Sequence, residues 1–251
     1  MNTLDCRQQS KEWFAARLGC VTSSRVADAI KFLSRKTKDK QVGEESAGRE
    51  KLRLELLGEI LREKPSEHYV SKWMEDGKEN EPLARTAYEL ERDVVVEQIG
   101  FVFHPKIKMA GASPDGLVGD SGLIEFKCPK LSTHLRYIIN GVIPKDYLPQ
   151  MYWQMACCDG ERAWNEFVSY VPDKDLPKEL RLWIGPRLHY DAEIIGQMES
   201  GVEKLNAEVQ EMLLKIRPNY LEEKIKASIR EVKGDKYDSE LVAAFNEDWV
   251  P

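Results

Sequence analysis

Long apolar runs are missing from this 251-residue chain. The longest, such as GLIEF at 122–126 and QIGFVF at 98–103, are far too short to cross a membrane as a helix, so no membrane association is expected. The opening stretch MNTLDCRQQSKEW also lacks an apolar signal-peptide core, and the expected location is the cytoplasm. Cysteine is scarce and odd in number. Cys6, Cys20, Cys128, Cys157 and Cys158 include a neighbouring pair but no C-x-x-C, which supports neither a disulfide framework nor a thiolate metal site. The four histidines show no H-x-H or H-E-x-x-H spacing, so a metal held here is expected on oxygen ligands. Net positive charge is absent too: 43 acidic against 37 basic residues leave −6 at neutral pH, which argues against a protein that coats nucleic acid nonspecifically. A local basic patch beside gathered carboxylates remains compatible with that balance.

Neither a repeat of 20–50 residues nor a Gly/Ser- or Pro-rich linker divides the sequence, so one domain with helical additions is expected over residues 1–251. Its core should span about 13–171, with a helical extension over about 190–251. SKEWFAARLG reads as a helix ending at Gly19, and TSSRVADAIKFL as a second helix with Thr22, Ser23 and Ser24 as cap candidates. A lysine-rich loop, SRKTKDKQVGEES, precedes GREKLRLELLGEIL, where Leu52, Leu56, Leu57 and Ile60 recur at helical spacing. WMEDGKENEPLARTAYELE is helical with Pro82 inside, which predicts a bend or a helix end at Glu81.

From residue 93 the pattern changes to short β-branched and aromatic runs punctuated by glycine, the mark of successive strands. Helices are predicted over 131–140 and 146–158, followed by a strand in WNEFVSYVP. The order of helices, meander, helices and strand predicts an α/β fold with a mixed central sheet flanked by helices. Residues 191–217 place Ile195, Met198, Val202, Leu205, Val209, Met212 and Ile216 at steps of three and four. That long C-terminal helix is expected to pack on its parent domain in preference to forming a subunit seam.

The stretch SPDGLVGDSGLIEFKCP, residues 113–129, carries the chemistry. In a strand over LIEFK, Ile124 and Phe126 face one way, and Leu123, Glu125 and Lys127 the other. The turn GDSG folds the preceding segment back, bringing Asp115 to the same sheet edge as Glu125 and Lys127. Two carboxylates that converge suit Mg²⁺ or Mn²⁺, ions that commonly complete their shell with phosphate oxygens. A lysine beside them can orient or deprotonate an attacking water, or offset charge developing on phosphorus. SPDG alone would be an ordinary β-turn and Glu125 with Lys127 an ordinary strand salt bridge. Their register across one hairpin favours a site.

Asp115, nine residues, then Glu125-Phe126-Lys127 resembles the D-x(n)-E-x-K signature of the PD-(D/E)xK nuclease superfamily. The wider stretch is similar to the lambda exonuclease and YqaJ-type viral recombinase family, as are WFAARLGCVTSS, GKENEPLART and YLPQMYWQM, in order from residue 13 to about 165. The C-terminal third adds nothing to the likeness. The resemblance implies a restriction-endonuclease-like core and a Mg²⁺-dependent 5′→3′ double-stranded DNA exonuclease, with Mn²⁺ as a substitute and two ions at the site. Asp115, Glu125, the Phe126 carbonyl and Glu81 would serve the metals, Lys127 would be the catalytic lysine, and Gln150 would lie near them. The superfamily often has tyrosine four residues after that glutamine, whereas this chain has Gln154.

By the same likeness Arg17, Ser24 and Ser113 form a pocket for a terminal 5′-phosphate. A serine at a predicted helix start and an arginine fork both suit an anion, although each alone reads as an ordinary cap or surface charge. Arg35, Lys36 and Lys38 become candidate contacts to the duplex backbone. Met74 becomes a candidate wedge at the terminal base pair, with a core methionine as its plainer reading. The family further implies linear DNA ends as substrate, a ring-shaped homotrimer, a single-strand annealing protein as partner, and a bacterial or phage-infected cytoplasm. A structure-selective or restriction-type endonuclease and an inactive DNA-end-binding module are the alternatives. Iron–sulfur members of the superfamily are disfavoured by the cysteine pattern.

Overall fold

In the computed structural model, residues 1–36, 40–66, 72–224 and 226 are described, with the backbone alone for 72–78. The chain falls into two compact units, Met1–Asn206 and Ala207–Pro251. Within the first, β1 (Asn2–Leu4) leads to α1 (Lys11–Ala16), whose N-terminus is capped by Ser10 accepting from the Trp13 amide at 3.2 Å. The helix gives way to a turn at Gly19, where φ is +69°. A side chain there would also meet Ile60 Cγ1 at 2.7 Å, so only glycine fits.

Next come β2 (Val21–Thr22), a four-residue α2 (Val26–Ala29) and α3 (Ala47–Arg62). In α3, Leu52, Leu56 and Leu57 are buried as their spacing predicts. Helix α4 (Lys72–Arg92) runs through Pro82 without ending, so of the two expected alternatives at Glu81 the helix end is not formed. The missing proline amide costs one helical hydrogen bond, while Ala84 and Tyr88 on the following turns are buried in the core and hold the helix together.

Two sheets follow. β4 (Phe101–Phe103) and β5 (Ala110–Ala112) are flanked by β1 and β2 in the order β1-β4-β5-β2 after β3 (Val96–Glu97) has departed to the other sheet. The larger sheet takes β3, β6 (Gly116–Val118), β7 (Gly122–Lys127), β8 (Trp164–Tyr170) and β9 (Leu182–His189), in that order. β7 and β8 are parallel and the other pairs in this sheet antiparallel, so the sheet is mixed as expected. The parallel pair needs a crossover, supplied by α5 (Leu131–Asn140) and α6 (Leu148–Cys157). β9 was not foreseen: Gly185 and Pro186 break its sequence pattern, and an edge strand tolerates both.

Both faces of the larger sheet are covered. Ile124, Phe126 and Val168 pack with Ala84 and Tyr88 of α4 on one side. Phe167 packs with Met151 of α6 and Ile143 on the other. The long helix α7 (Ala192–Ile216) crosses from the first unit into the second. Its first half packs on the parent unit, with Gly201 close against Ile30, and Asn206 donating to the Lys108 carbonyl at 2.8 Å. Ile195, Met198, Val202, Leu205 and Val209 are buried as predicted, but the seam then moves to Leu213 and leaves Ile216 exposed. A straight helix at 3.6 residues per turn drifts away from a 3.5-residue pattern, which accounts for the change.

Candidate active site

The hairpin of β6 and β7 pairs Gly116 with Ile124 and Val118 with Gly122, a register that sets Asp115 opposite Glu125. Asp115 sits where β6 begins, and its Oδ2 accepts the Phe126 amide at 2.7 Å. The Asp115 segment is tethered from behind by Gln8, whose Nε2 donates to the Pro114 and Ile99 carbonyls, each at 2.9 Å. Strand alternation then does what the sequence predicts, with Ile124 and Phe126 in the core and Glu125 on the opposite face.

That opposite face is not open to water. Glu125 is 0% exposed under α6, and donors meet both of its oxygens. Oε1 takes Lys127 Nζ and Gln150 Nε2, the latter at 2.5 Å, and Oε2 takes Gln154 Nε2 at 2.5 Å. Lys127 Nζ also stands 5.3 Å from the centre of the Tyr147 ring. Burial alone would lower the lysine pKa, but Glu125 and Asp115 outweigh it and hold Lys127 above its ordinary value.

Glu81 approaches from the interior of α4. It pairs with Arg85 at 3.1 Å, one helical turn on, and Arg85 also reaches the Asp115 carbonyl at 3.5 Å. Burial raises the Glu81 carboxyl, with Arg85 opposing and Glu125 adding to the rise. Burial and the charge of Glu125 push Asp115 well above the usual carboxylate range; Glu81 adds to this, while Lys127 and the Phe126 amide oppose it. Acidic groups that raise one another in this way favour a divalent cation, and oxygen donors suit Mg²⁺ or Mn²⁺. Among the described residues no three His, Cys, Asp or Glu side chains stand close enough together to hold a metal ion by themselves. Glu125 is instead engaged by Lys127 and two amides.

Two residues before Asp115, Ser113 Oγ accepts Trp13 Nε1 at 2.8 Å and Arg17 NH1 at 3.3 Å. The Arg17 guanidinium lies 4.0 Å over the Trp13 ring. Burial, then Arg25, lowers the Arg17 pKa to about 10, and among the described residues no carboxylate forms an ion pair with it. The structure thus joins Arg17 and Ser113, as expected.

Ser24 is different. It lies in the turn before α2, which starts at Val26 with Arg25 as its uncapped first flank, so the expected Ser24 helix cap is not formed. The Thr22 and Ser24 hydroxyls are 3.3 Å apart, and Arg25 is drawn to Glu59 at 3.1 Å and Glu55 at 3.3 Å. Four residues of helix offer no useful dipole, which removes that reason for placing an anion there. Arg35 and Lys36 are exposed, as a backbone contact requires. Lys38 and the side chain of Met74 lie outside the described residues.

Sequence reasoning left Trp13, Tyr147, Arg85 and Asn165 without roles. Trp13 stood in the quoted WFAARLG segment and Tyr147 in YLPQMYWQM, but nothing in the linear order reveals that one carries Arg17 and the other faces Lys127. Asn165 could not have been found, since its contact with Gln154 depends on the β7-β8 pairing.

The model of the YqaJ-like viral recombinase domain matches residues 12–161, a span holding Arg17, Ser113, Asp115, Glu125, Lys127 and Gln150. The chain belongs to this family. Its YqaJ-like domain is also similar to solved structures. An alkaline exonuclease (LHK-Exo) from Laribacter hongkongensis is 37% identical with a TM-score of 0.72, over 85% of this chain and 99% of that one. The same exonuclease in complex with dAMP gives 38% identity, a TM-score of 0.72 and the same coverage. A phage related exonuclease from Haemophilus somnus 129PT shares the fold, with a TM-score of 0.60 at 15% identity over 78% of this chain and 96% of that one. No curated protein sequence matches the chain. The YqaJ-like domain therefore has the restriction-endonuclease-like α/β fold.

Proposed function

We propose that this YqaJ-like protein is a Mg²⁺-dependent exonuclease that digests one strand of duplex DNA in the 5′→3′ direction, releases 5′-mononucleotides and leaves a 3′ single-stranded tail. The observation that carries this reading is the convergence of Asp115, Glu125 and Lys127 on the β6-β7 hairpin inside the larger sheet, two residues along the chain from the Ser113–Arg17 pair. The first group suits phosphodiester hydrolysis and the second a terminal phosphate. The exonuclease likeness of the Laribacter structures supports it, and the complex of that enzyme with dAMP accords with a mononucleotide product.

Asp115 and Glu125, with the Phe126 carbonyl and Glu81 beside them, would hold Mg²⁺ or Mn²⁺, in two positions by the family likeness. When bound, the metal supplies electrostatic stabilisation of charge on the phosphate oxygens. Lys127 places a positive charge next to the carboxylates, where it offsets negative charge developing on phosphorus and orients the attacking water. Gln150 and Gln154 keep Glu125 in one orientation. At the other end of the segment, Trp13 covers one face of the Arg17 guanidinium and leaves its edge donors for a phosphate. Binding an anion would offset the penalty that burial and Arg25 impose on the Arg17 charge. The family likeness further supports a ring-shaped homotrimer around duplex DNA and transfer of the 3′ tail to a single-strand annealing protein.

A direct test incubates the protein with linear duplex bearing 5′-phosphate, linear duplex bearing 5′-hydroxyl, and closed circular duplex, with Mg²⁺ or with EDTA. The expected result is Mg²⁺-dependent release of mononucleotides from the 5′-phosphorylated linear duplex, slower release from the 5′-hydroxyl form, and an intact circle. Nicking of the circle would point to an endonuclease, and digestion of no substrate to an end-binding module; either overturns the reading.

A further inference from the structure

Glu125 is positioned by Gln154, and Gln154 in turn by Asn165. Asn165 is fully buried on β8, opposite Leu123 of β7, and contacts neither Glu125 nor solvent. Its Nδ2 donates to the Met151 carbonyl at 3.3 Å and to Gln154 Oε1 at 2.7 Å. Gln154, also 0% exposed, then has its Nε2 directed at Glu125 Oε2, 2.5 Å away.

The order of donors and acceptors along this chain is fixed at both ends, by the Met151 carbonyl and by the Glu125 carboxylate, each of which only accepts. A main-chain carbonyl accepts and never donates, so Asn165 must turn its amino group toward Met151. The same amino group then requires an acceptor from Gln154, which leaves the Gln154 amino group for the carboxylate. Flipping Asn165 would set oxygen against oxygen at Met151 and Gln154, and flipping Gln154 would set donor against donor at Asn165 and oxygen against oxygen at Glu125. Asn165 Oδ1 is left buried without a hydrogen-bond partner among the described residues. The fold retains this unsatisfied atom alongside the donor arrangement that serves Glu125.

We propose that Asn165 and Gln154 form a positioning relay that fixes the carboxylate of Glu125 and so sets the affinity of the site for a divalent cation. This rests on the reading of Glu125 as a metal ligand. Gln150, one helical turn before Gln154 on α6, holds the other carboxylate oxygen, so the relay controls one of the two sides. A glutamine has a directed amide, and Asn165 holds its oxygen while Glu125 takes its amino group. The two residues therefore act as a unit in this chain.

The test measures Mn²⁺ binding to the full-length protein by titration calorimetry, without DNA, for wild type, Asn165→Asp, Gln154→Met and the double variant. Asn165→Asp is nearly isosteric but cannot donate to Met151 or Gln154. Each single variant should bind Mn²⁺ about 10- to 100-fold more weakly, the effect usual for groups that orient a metal ligand. The double variant should be no weaker than the weaker single variant, because both changes break the same relay. Asn165→Leu removes the donor without adding charge and completes the cycle if Asn165→Asp does not fold, as judged by circular dichroism. Unchanged Mn²⁺ affinity in folded single variants, or losses that multiply in the double variant, overturns the relay. Glu125→Gln is the control: if it binds Mn²⁺ as wild type does, the metal-ligand reading itself fails.

Discussion

Arg17 offers the sharpest test of the proposed pocket for a terminal 5′-phosphate. The guanidinium is fixed from two sides, by the Trp13 ring at 4.0 Å and by Ser113 Oγ at 3.3 Å. Arg17→Ala removes both contacts and the donors that would meet a terminal phosphate. A charge-assisted hydrogen bond is worth about 1.5–3 kcal/mol. At about 1.4 kcal/mol per tenfold, kcat/KM on 5′-phosphorylated duplex should fall about 10- to 150-fold. Losing the stack costs about 0.5–1 kcal/mol of stability, a shift of roughly 1–4 °C in Tm, so the variant should still fold. Arg17→Lys keeps the charge but loses the fork and its stacking, and should fall between wild type and alanine. The assay follows initial release of labelled nucleotide from duplexes that differ only in 5′-phosphate or 5′-hydroxyl. The loss should be confined to the phosphorylated substrate; equal loss on both would refute the phosphate-pocket reasoning.

Other expectations concern the reaction centre and the core. Lys127→Met should lower the hydrolysis rate about 10²- to 10⁴-fold while retaining duplex affinity in a gel-shift assay, and Asp115→Asn should behave likewise. A near-normal rate in either would remove that residue from the site. Tyr88→Phe deletes the 2.7 Å hydrogen bond to buried Glu166, which Arg92 and Arg187 also reach, and should cost about 1.5–3 kcal/mol, or roughly 3–12 °C in a thermal melt. An unchanged melt would show that the two arginines satisfy Glu166 alone. Burial, aided by Lys106, lowers the His104 pKa to about 4, against the opposing pull of the Glu199 carboxylate 3.2 Å from its Nε2. The unfolded chain therefore binds the proton first, and stability should fall as pH drops from about 6.5 toward 4, by on the order of 2–3 kcal/mol. Urea midpoints at pH 7 and pH 4.5 should differ less in His104→Gln than in wild type, and an identical pH dependence would assign the loss to other groups.

The candidate-site segment was legible because its information is local. Alternation in LIEFK divides Ile124 and Phe126 from Glu125 and Lys127, and a short glycine-bounded turn fixes which residue of the preceding strand lies opposite. Helix reading succeeded where spacing was regular, in α3, α5 and α7 up to Val209. It left a bend or a helix end open at Pro82, where packing of Ala84 and Tyr88 keeps α4 continuous, and it failed at Ser24, where a run of cap-forming residues leads into a turn and a helix of only four residues. Propensity sets a local preference in such places, and tertiary packing outweighs it.

By itself, then, the amino-acid order determined the hairpin register, the placement of Asp115 opposite Glu125, and the family to which these residues belong. Only the tertiary structure decided that Glu125 would be enclosed. The parallel pairing of β7 with β8 brings Asn165 under α6, and α6 closes over the carboxylate with Gln150 and Gln154. Likewise, only folding brings Trp13 and Arg17 of α1 and its C-terminal flank to Ser113, about a hundred residues away in the chain. Contacts of that separation depend on a crossover and on the docking of one sheet's helices against another element, and neither has a period or a spacing that a linear sequence could display.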